Sequence, residues 1–188
     1  MRAQRLGRYS TVLVAIVSVA LGAGCAKDQA PGVPAPLDGV PAATPDAAPE
    51  TEAASKAALA AYAGYLDASR EAEKSANHLH PALKKYLADP LLTQVRLAIR
   101  DAKEHGAMRT GTLISDPQVT DVRLDTVPAT VSIQDCLDGT GYRLVYTKDK
   151  SVVPGSTSGR YLATATAARY PDGRWLISTG TAHRDQPC

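Results

Sequence analysis

At Gly106 the chain changes its period, and that switch narrows the fold more than any other feature of its 188 residues. Before it, apolar side chains recur at helical spacing: Leu59, Tyr62, Ala63 and Leu66, then Leu83, Tyr86 and Leu87, then Leu91, Val95, Ala98 and Ala102. After it, alternation and β-branched residues take over, the texture of strands. Helices first and strands afterwards leave no helical crossovers for a parallel sheet. The order therefore predicts an α+β fold whose N-terminal helices pack on an antiparallel sheet, with the strands following one another as a meander.

Local signals set the expected boundaries. Thr51 reads as the N-cap of a long amphipathic helix, which His80-Pro81 interrupts. A short helix through Tyr86 follows. Asp89 reads as the cap of a third helix, with Pro90 at its first position and Gly106 as its stop. Strands are predicted near 110–115, 119–126, 130–136, 142–146, 160–170 and 174–183. Pro171-Asp172-Gly173 supplies a tight turn between the last two.

The folded domain is thus expected at 51–188. Residues 25–50 form a spacer of Ala, Pro, Gly and Asp with almost no large apolar side chain, too little to offset the entropy of ordering. Pro31, Pro34, Pro36, Pro41, Pro45 and Pro49 stiffen it locally.

Residues 1–24 have the layout of a secretory signal: Arg2, Arg5 and Arg8, an apolar run over 11–21, then Gly22-Ala23-Gly24. The Cys25 that follows resembles the acylated cysteine of a bacterial lipobox, although that pattern prefers Leu where this chain has Gly22, with Leu21 one place early. The resemblance implies cleavage before Cys25 and a diacylglyceryl and palmitate-type anchor on it. An uncleaved anchor is the alternative, and the apolar run falls short of the roughly 20 residues that span a bilayer. Two or three acyl chains, at roughly 0.8 kcal/mol per buried CH₂, would hold the protein on the extracytoplasmic face of the cell membrane.

Charge and cysteine count fit that placement. Residues 1–24 carry three arginines and no acid, so their removal takes the formal charge from +2 to −1. Such a balance argues against nucleic acid as a partner. With Cys25 acylated, Cys136 and Cys188 remain as an even pair in an oxidising compartment, and a disulfide between them is expected; two inert buried thiols are the alternative.

The order of several short motifs resembles the NTF2-like superfamily, and within it the small secreted lipoproteins of actinomycete-type bacteria. The motifs are Ala61-Tyr62, Tyr65-Leu66-Asp67-Ala68, Asp116-Pro117-Gln118-Val119-Thr120, Asp135-Cys136-Leu137-Asp138, Gly173-Arg174-Trp175-Leu176 and Pro187-Cys188. The resemblance implies a cone of helices wrapped by a curved antiparallel sheet, with a pocket between them. Isomerases, dehydratases, binding proteins and adaptors share that fold, so it selects no function.

Candidate site residues divide by chemistry. Asp135 and Asp138 flank Cys136 and could form an acid–base pair, but Asp138-Gly139-Thr140-Gly141 is a turn sequence and Asp135 is better read as capping or bracing the disulfide corner. His78 and His80 lie beside a proline with no third ligand, and His105 suits a helix C-terminus. No metal or cofactor is expected. His183, near the end of the final strand, is the one histidine that could face a pocket, and surface exposure is the favoured alternative. Tyr62, Tyr65, Tyr86 and Trp175 are the large aromatics expected between helices and sheet in a chain without Phe, where they either fill the core or line a mixed cavity. Gly155 to Gly159 reads as a loop, not a phosphate cradle.

The function expected is therefore non-enzymatic: a lipid-anchored envelope protein whose domain binds a protein partner or a small apolar ligand, with Tyr62, Tyr65, Tyr86, Asp135, Trp175 and His183 as its candidate contacts. A pocket enzyme of isomerase or dehydratase type is the runner-up. An accessory subunit of an envelope secretion or conjugation complex, or a phage-encoded lipoprotein that blocks superinfection, shares the same features.

Overall fold

The first described helix, α1, runs from Ala47 to Lys74 in a computed structural model that describes residues 47–188. The expected export signal, Cys25 and the expected spacer up to residue 46 lie outside the described residues. Thr51 is inside α1 and does not cap it, so residues 47–50 of the expected spacer are helical. Pro49 is tolerated there because first-turn N–H groups have no intrahelical partner, and Glu50 meets the positive end of the helix dipole. Ala54, Ala58, Ala61, Ala68 and Ala72 bury the inner stripe together with Tyr62, whereas Ala63, expected on that face, is exposed. Alanines let the helix lie close to its neighbours. Gly64 takes this further, because a Cβ there would fall 2.3 Å from the Tyr86 ring.

Tyr86 ends α2 (Leu83–Tyr86), and α3 spans Leu91–Glu104. Pro90, not Asp89, takes the N-cap place of α3; Asp89 stands one residue earlier, and its carboxylate accepts from the Thr93 N–H (3.2 Å) and hydroxyl (2.6 Å). The buried stripe of α3 passes through Leu91 and Ile99, flanked by Leu92 and Val95; Ala98, expected in it, is exposed. Gly106, at φ +66°, stops the helix where the sequence predicted. His105 closes the last turn, its Nδ1 2.8 Å from the Asp101 carbonyl.

Six strands follow: β1 (Ala107–Gly111), β2 (Pro117–Arg123), β3 (Thr130–Asp138), β4 (Tyr142–Tyr146), β5 (Arg160–Arg169) and β6 (Trp175–His183). The first two start earlier than expected. Ala107 is buried directly after the helix stop, and Pro117 is accepted as the first residue of an edge strand. Four strands pair antiparallel in the order β2-β3-β5-β6, while β4 leaves the meander to pair with β1. Register shifts at Val119/Asp121 and Thr166/Ala167 introduce bulges, the device that bends a sheet around a helix. The fold is α+β.

Alternation decides which side chains face the helices. Val131, Ile133, Asp135 and Leu137 of β3 and Tyr161, Ala163, Ala165 and Ala167 of β5 are buried on the inner face. Leu83, Leu87, Ile133 and Ile177 anchor the core, and truncating one to Ala costs about 2–5 kcal/mol. Cys136 points the other way and forms a disulfide with Cys188, Cα–Cα 5.8 Å. The tail is held further where the Leu162 N–H donates to the Gln186 carbonyl (2.9 Å). Among the described residues no helix is long and apolar enough to cross a membrane.

Candidate functional site

Small residues on the inner face of the sheet leave a hollow beneath α1. Ala163 and Ala165 of β5 stand in register with Ala182 and Gly180 of β6, so the floor has almost no side-chain bulk. Tyr62, Tyr65 and Leu66 roof it, and Leu113, Leu137 and Tyr161 complete its apolar wall, enclosing about 270 Å³. A second cavity of about 500 Å³ lies between α3 and the β1–β4 pair, lined by Ile99, Ala102, Leu144, Tyr146 and Val153. Glu73, Ala98 and Arg109 line both.

Glu73 therefore stands at a partition. It follows Tyr62, Leu66 and Ser69 along α1 at intervals of three and four, which places a carboxylate on an otherwise half-buried face. The Tyr142 hydroxyl donates to Glu73 Oε2, and Arg109 Nε lies 3.8 Å from Oε1 with its guanidinium 5.9 Å from the Tyr142 ring centre. Burial raises the Glu73 pKa above the ordinary carboxylate value; the Tyr142 hydrogen bond and the Arg109 charge pull it back. Burial and the adjacent Glu73 charge push Tyr142 upward in turn. Tyr65 is pushed up to about 12, mainly by burial and then by the charges of Glu73 and Tyr161. The partition thus combines a carboxyl group whose pKa burial raises, a phenol and a cation.

Asp135 does a different job. It is 1 % exposed, and its Oδ2 accepts from the Tyr62 hydroxyl (3.0 Å) and the Ser115 hydroxyl (2.6 Å) while Oδ1 accepts from the Asp116 N–H (2.7 Å). These bonds lock α1 and the start of β2 onto β3. Burial, followed by the charge and hydrogen bond of Asp135, raises the Tyr62 pKa and keeps its hydroxyl a donor. Asp138 binds its own turn through the Thr140 N–H (2.9 Å), so the two aspartates do not act as a pair.

The expected contact residues are thereby separated. Tyr62 and Tyr65 line the cavity beneath α1, their rings 5.7 Å apart and tilted by 60°. Asp135 sits behind Tyr62 and braces it, not the disulfide corner expected of it, because strand alternation turns Asp135 inward and Cys136 outward. Tyr86 packs under Gly64 and lines neither cavity. Trp175 lies in a shallow depression with Leu124, Ala129 and the first turns of α1. His183 pairs in register with Leu162 and its Nε2 meets Thr164 Oγ1 at 3.0 Å, on the face of β5 opposite Ala163 and Ala165. Among the described residues, no three His, Cys, Asp or Glu side chains cluster as metal ligands do.

Sequence reasoning missed Glu73, Arg109, Tyr142 and Tyr161. Local signals marked two of them: a carboxylate at helical spacing from Tyr62 and Leu66 for Glu73, and the alternation of Tyr161 with Ala163, Ala165 and Ala167 on one strand face for Tyr161; Arg109 and Tyr142 had none. The second cavity had no local signal, because it depends on β4 leaving the sheet.

No protein family's sequence profile matches the chain, and no curated protein does. Among solved structures, the intermembrane-space region of the chloroplast protein ARC6 is similar over 68% of this chain and 95% of its own, at 16% identity and a TM-score of 0.45. Likeness at that level carries no functional argument.

Proposed function

We propose that this is a lipid-anchored extracytoplasmic binding protein, tethered through acylated Cys25, whose NTF2-like domain takes a small ligand in the cavity beneath α1. The observation that carries the binding reading is the hollow itself: a floor of Ala163, Ala165 and Gly180 beside the Glu73–Tyr142–Arg109 cluster. Well-packed interiors close such spaces, and an apolar pocket with a few placed polar groups is the usual form of a ligand site. The export signal and the lipobox-like Cys25 support the tether. Melting the purified protein with a panel of small amphiphiles tests the pocket. Wild type is expected to gain melting temperature with at least one compound and Ala163→Leu with none. Equal gains by both remove the cavity from the reading; no gain by either turns it to a protein partner at the envelope.

A pocket enzyme is the second reading, favoured by the raised Glu73 pKa, since a carboxyl group that holds its proton nearer neutrality suits acid–base work. Turnover of any small substrate that is lost in Glu73→Gln at unchanged stability would establish it.

A further inference from the structure

We infer that the ligand of the cavity beneath α1 is a small amphiphilic organic anion, its charged head met by Arg70, Arg109 and Arg184 and its apolar body resting on Leu137, Ala163 and Ala165. This rests on the small-ligand reading above and deepens it.

Charge excludes the opposite class. Three guanidiniums line the cavity, and Glu73 is the one carboxylate that does so among the described residues. Glu73 is already answered by Arg109 and by the Tyr142 hydroxyl. Arg70 is paired with Asp67, which does not line the cavity, so Arg184 is the charge left unanswered; a cationic ligand would be repelled by it, whereas an anion neutralises it.

The donors are also held and underused. Arg184 is fixed at the open side, where Nη1 donates to Ser158 Oγ (2.8 Å) and the guanidinium lies 4.9 Å above the Tyr161 ring, yet no carboxylate comes within salt-bridge distance of it among the described residues. Arg70 spends one nitrogen on Asp67, but its Nε is buried with no acceptor, and the neighbouring Ser69 hydroxyl is buried without a partner too. Buried donors without acceptors are uncommon in folded proteins, and the oxygens of a carboxylate or sulfonate satisfy several at once.

Volume and lining fix the rest of the class. About 270 Å³ is near the lower end of ligand pockets and admits a compact body, on the order of two fused rings or a short branched chain. The small apolar floor offers that body no hydrogen bond to read, so orientation comes from the charged end.

Calorimetric titration of the purified full-length protein at neutral pH with three probes of one shape tests this: naphthalene-2-sulfonate, 2-naphthol and 2-naphthylmethylamine. The sulfonate is expected to bind at least about tenfold tighter than the naphthol, and the amine most weakly. The double variant Arg70→Gln/Arg184→Gln should bring the sulfonate down to the affinity of the naphthol and leave the naphthol unchanged. Ala163→Leu, and Ala182→Leu at an exposed position that does not endanger folding, should weaken every probe that binds. A naphthol or amine that binds as tightly as the sulfonate overturns the anion assignment and leaves the pocket standing. Absence of binding by all three, or binding indifferent to both cavity-filling variants, overturns the pocket as well.

Discussion

Replacing Asp135 by alanine should be among the most destabilising single changes on the sheet, because three donors, one on α1 and two on the run entering β2, lose their acceptor together. The Tyr62 hydroxyl bond is buried, so its loss approaches the upper end of the roughly 1–3 kcal/mol penalty for an unsatisfied donor. The Ser115 hydroxyl and the Asp116 N–H are only part-buried and regain solvent, at about 1 kcal/mol or less each. The expected total is about 3–5 kcal/mol. Tyr62→Phe, which removes donor and bond together, should cost only about 1 kcal/mol. In the Tyr62→Phe background Asp135→Ala should therefore cost about 1–2 kcal/mol less than in the wild type, the signature of a direct pair. Urea unfolding followed by circular dichroism measures all four proteins, with an unchanged slope confirming that the unfolded state is common to them. A loss below about 1 kcal/mol for Asp135→Ala, or strict additivity with Tyr62→Phe, would refute the brace. Asp135→Asn, which keeps the shape, should bind naphthalene-2-sulfonate within about twofold of wild type, since Asp135 does not line the cavity; a tenfold loss would return this residue to the site.

Removing the disulfide by Cys188→Ser with Cys136→Ser opens a link between residues 52 apart, which the chain-entropy relation values at about 4 kcal/mol; a melting point lowered by roughly 12–16 °C is expected, and an unchanged one contradicts it. Glu73 faces Arg70 and Tyr65 on its own helix, Arg109 on β1, Tyr142 on β4, and Asp101 and His105 across the larger cavity. Its raised pKa means the folded state holds a proton that the unfolded state releases, so this group's contribution is full below the ordinary carboxylate value and is lost as pH rises toward the raised one. Glu73→Gln should accordingly flatten the pH dependence of stability in that window, and parallel profiles for variant and wild type would contradict the assignment. The same protonation makes the cavity more positive, so naphthalene-2-sulfonate, which stays ionised, should bind more tightly on acidification in wild type but not in Glu73→Gln. Cys25→Ser should move the protein from the membrane to the soluble fraction, and retention in the membrane would rule out a lipid tether at that residue.

Order and type of elements were readable in the chain because they follow from local chemistry: helical spacing before Gly106, β-branched alternation after it, and the stop at Gly106 itself, where a positive φ favours glycine. The disulfide was readable as well, on the expectation that an acylated Cys25 leaves Cys136 and Cys188 as one pair. Exact faces were less so. Ile99 took the buried place expected for Ala98, and Ala63 turned outward, because a stripe of alanines gives the hydrophobic period little contrast. What tertiary structure alone decided is the site. Tyr62 and Asp135 are 73 residues apart and Glu73 and Tyr142 are 69 apart, so no local pattern marks them as partners. The bulges that bend the sheet, the departure of β4 to β1, and the small residues of β5 and β6 meeting in register open the cavities. Those are consequences of long-range pairing, which sequence spacing does not encode.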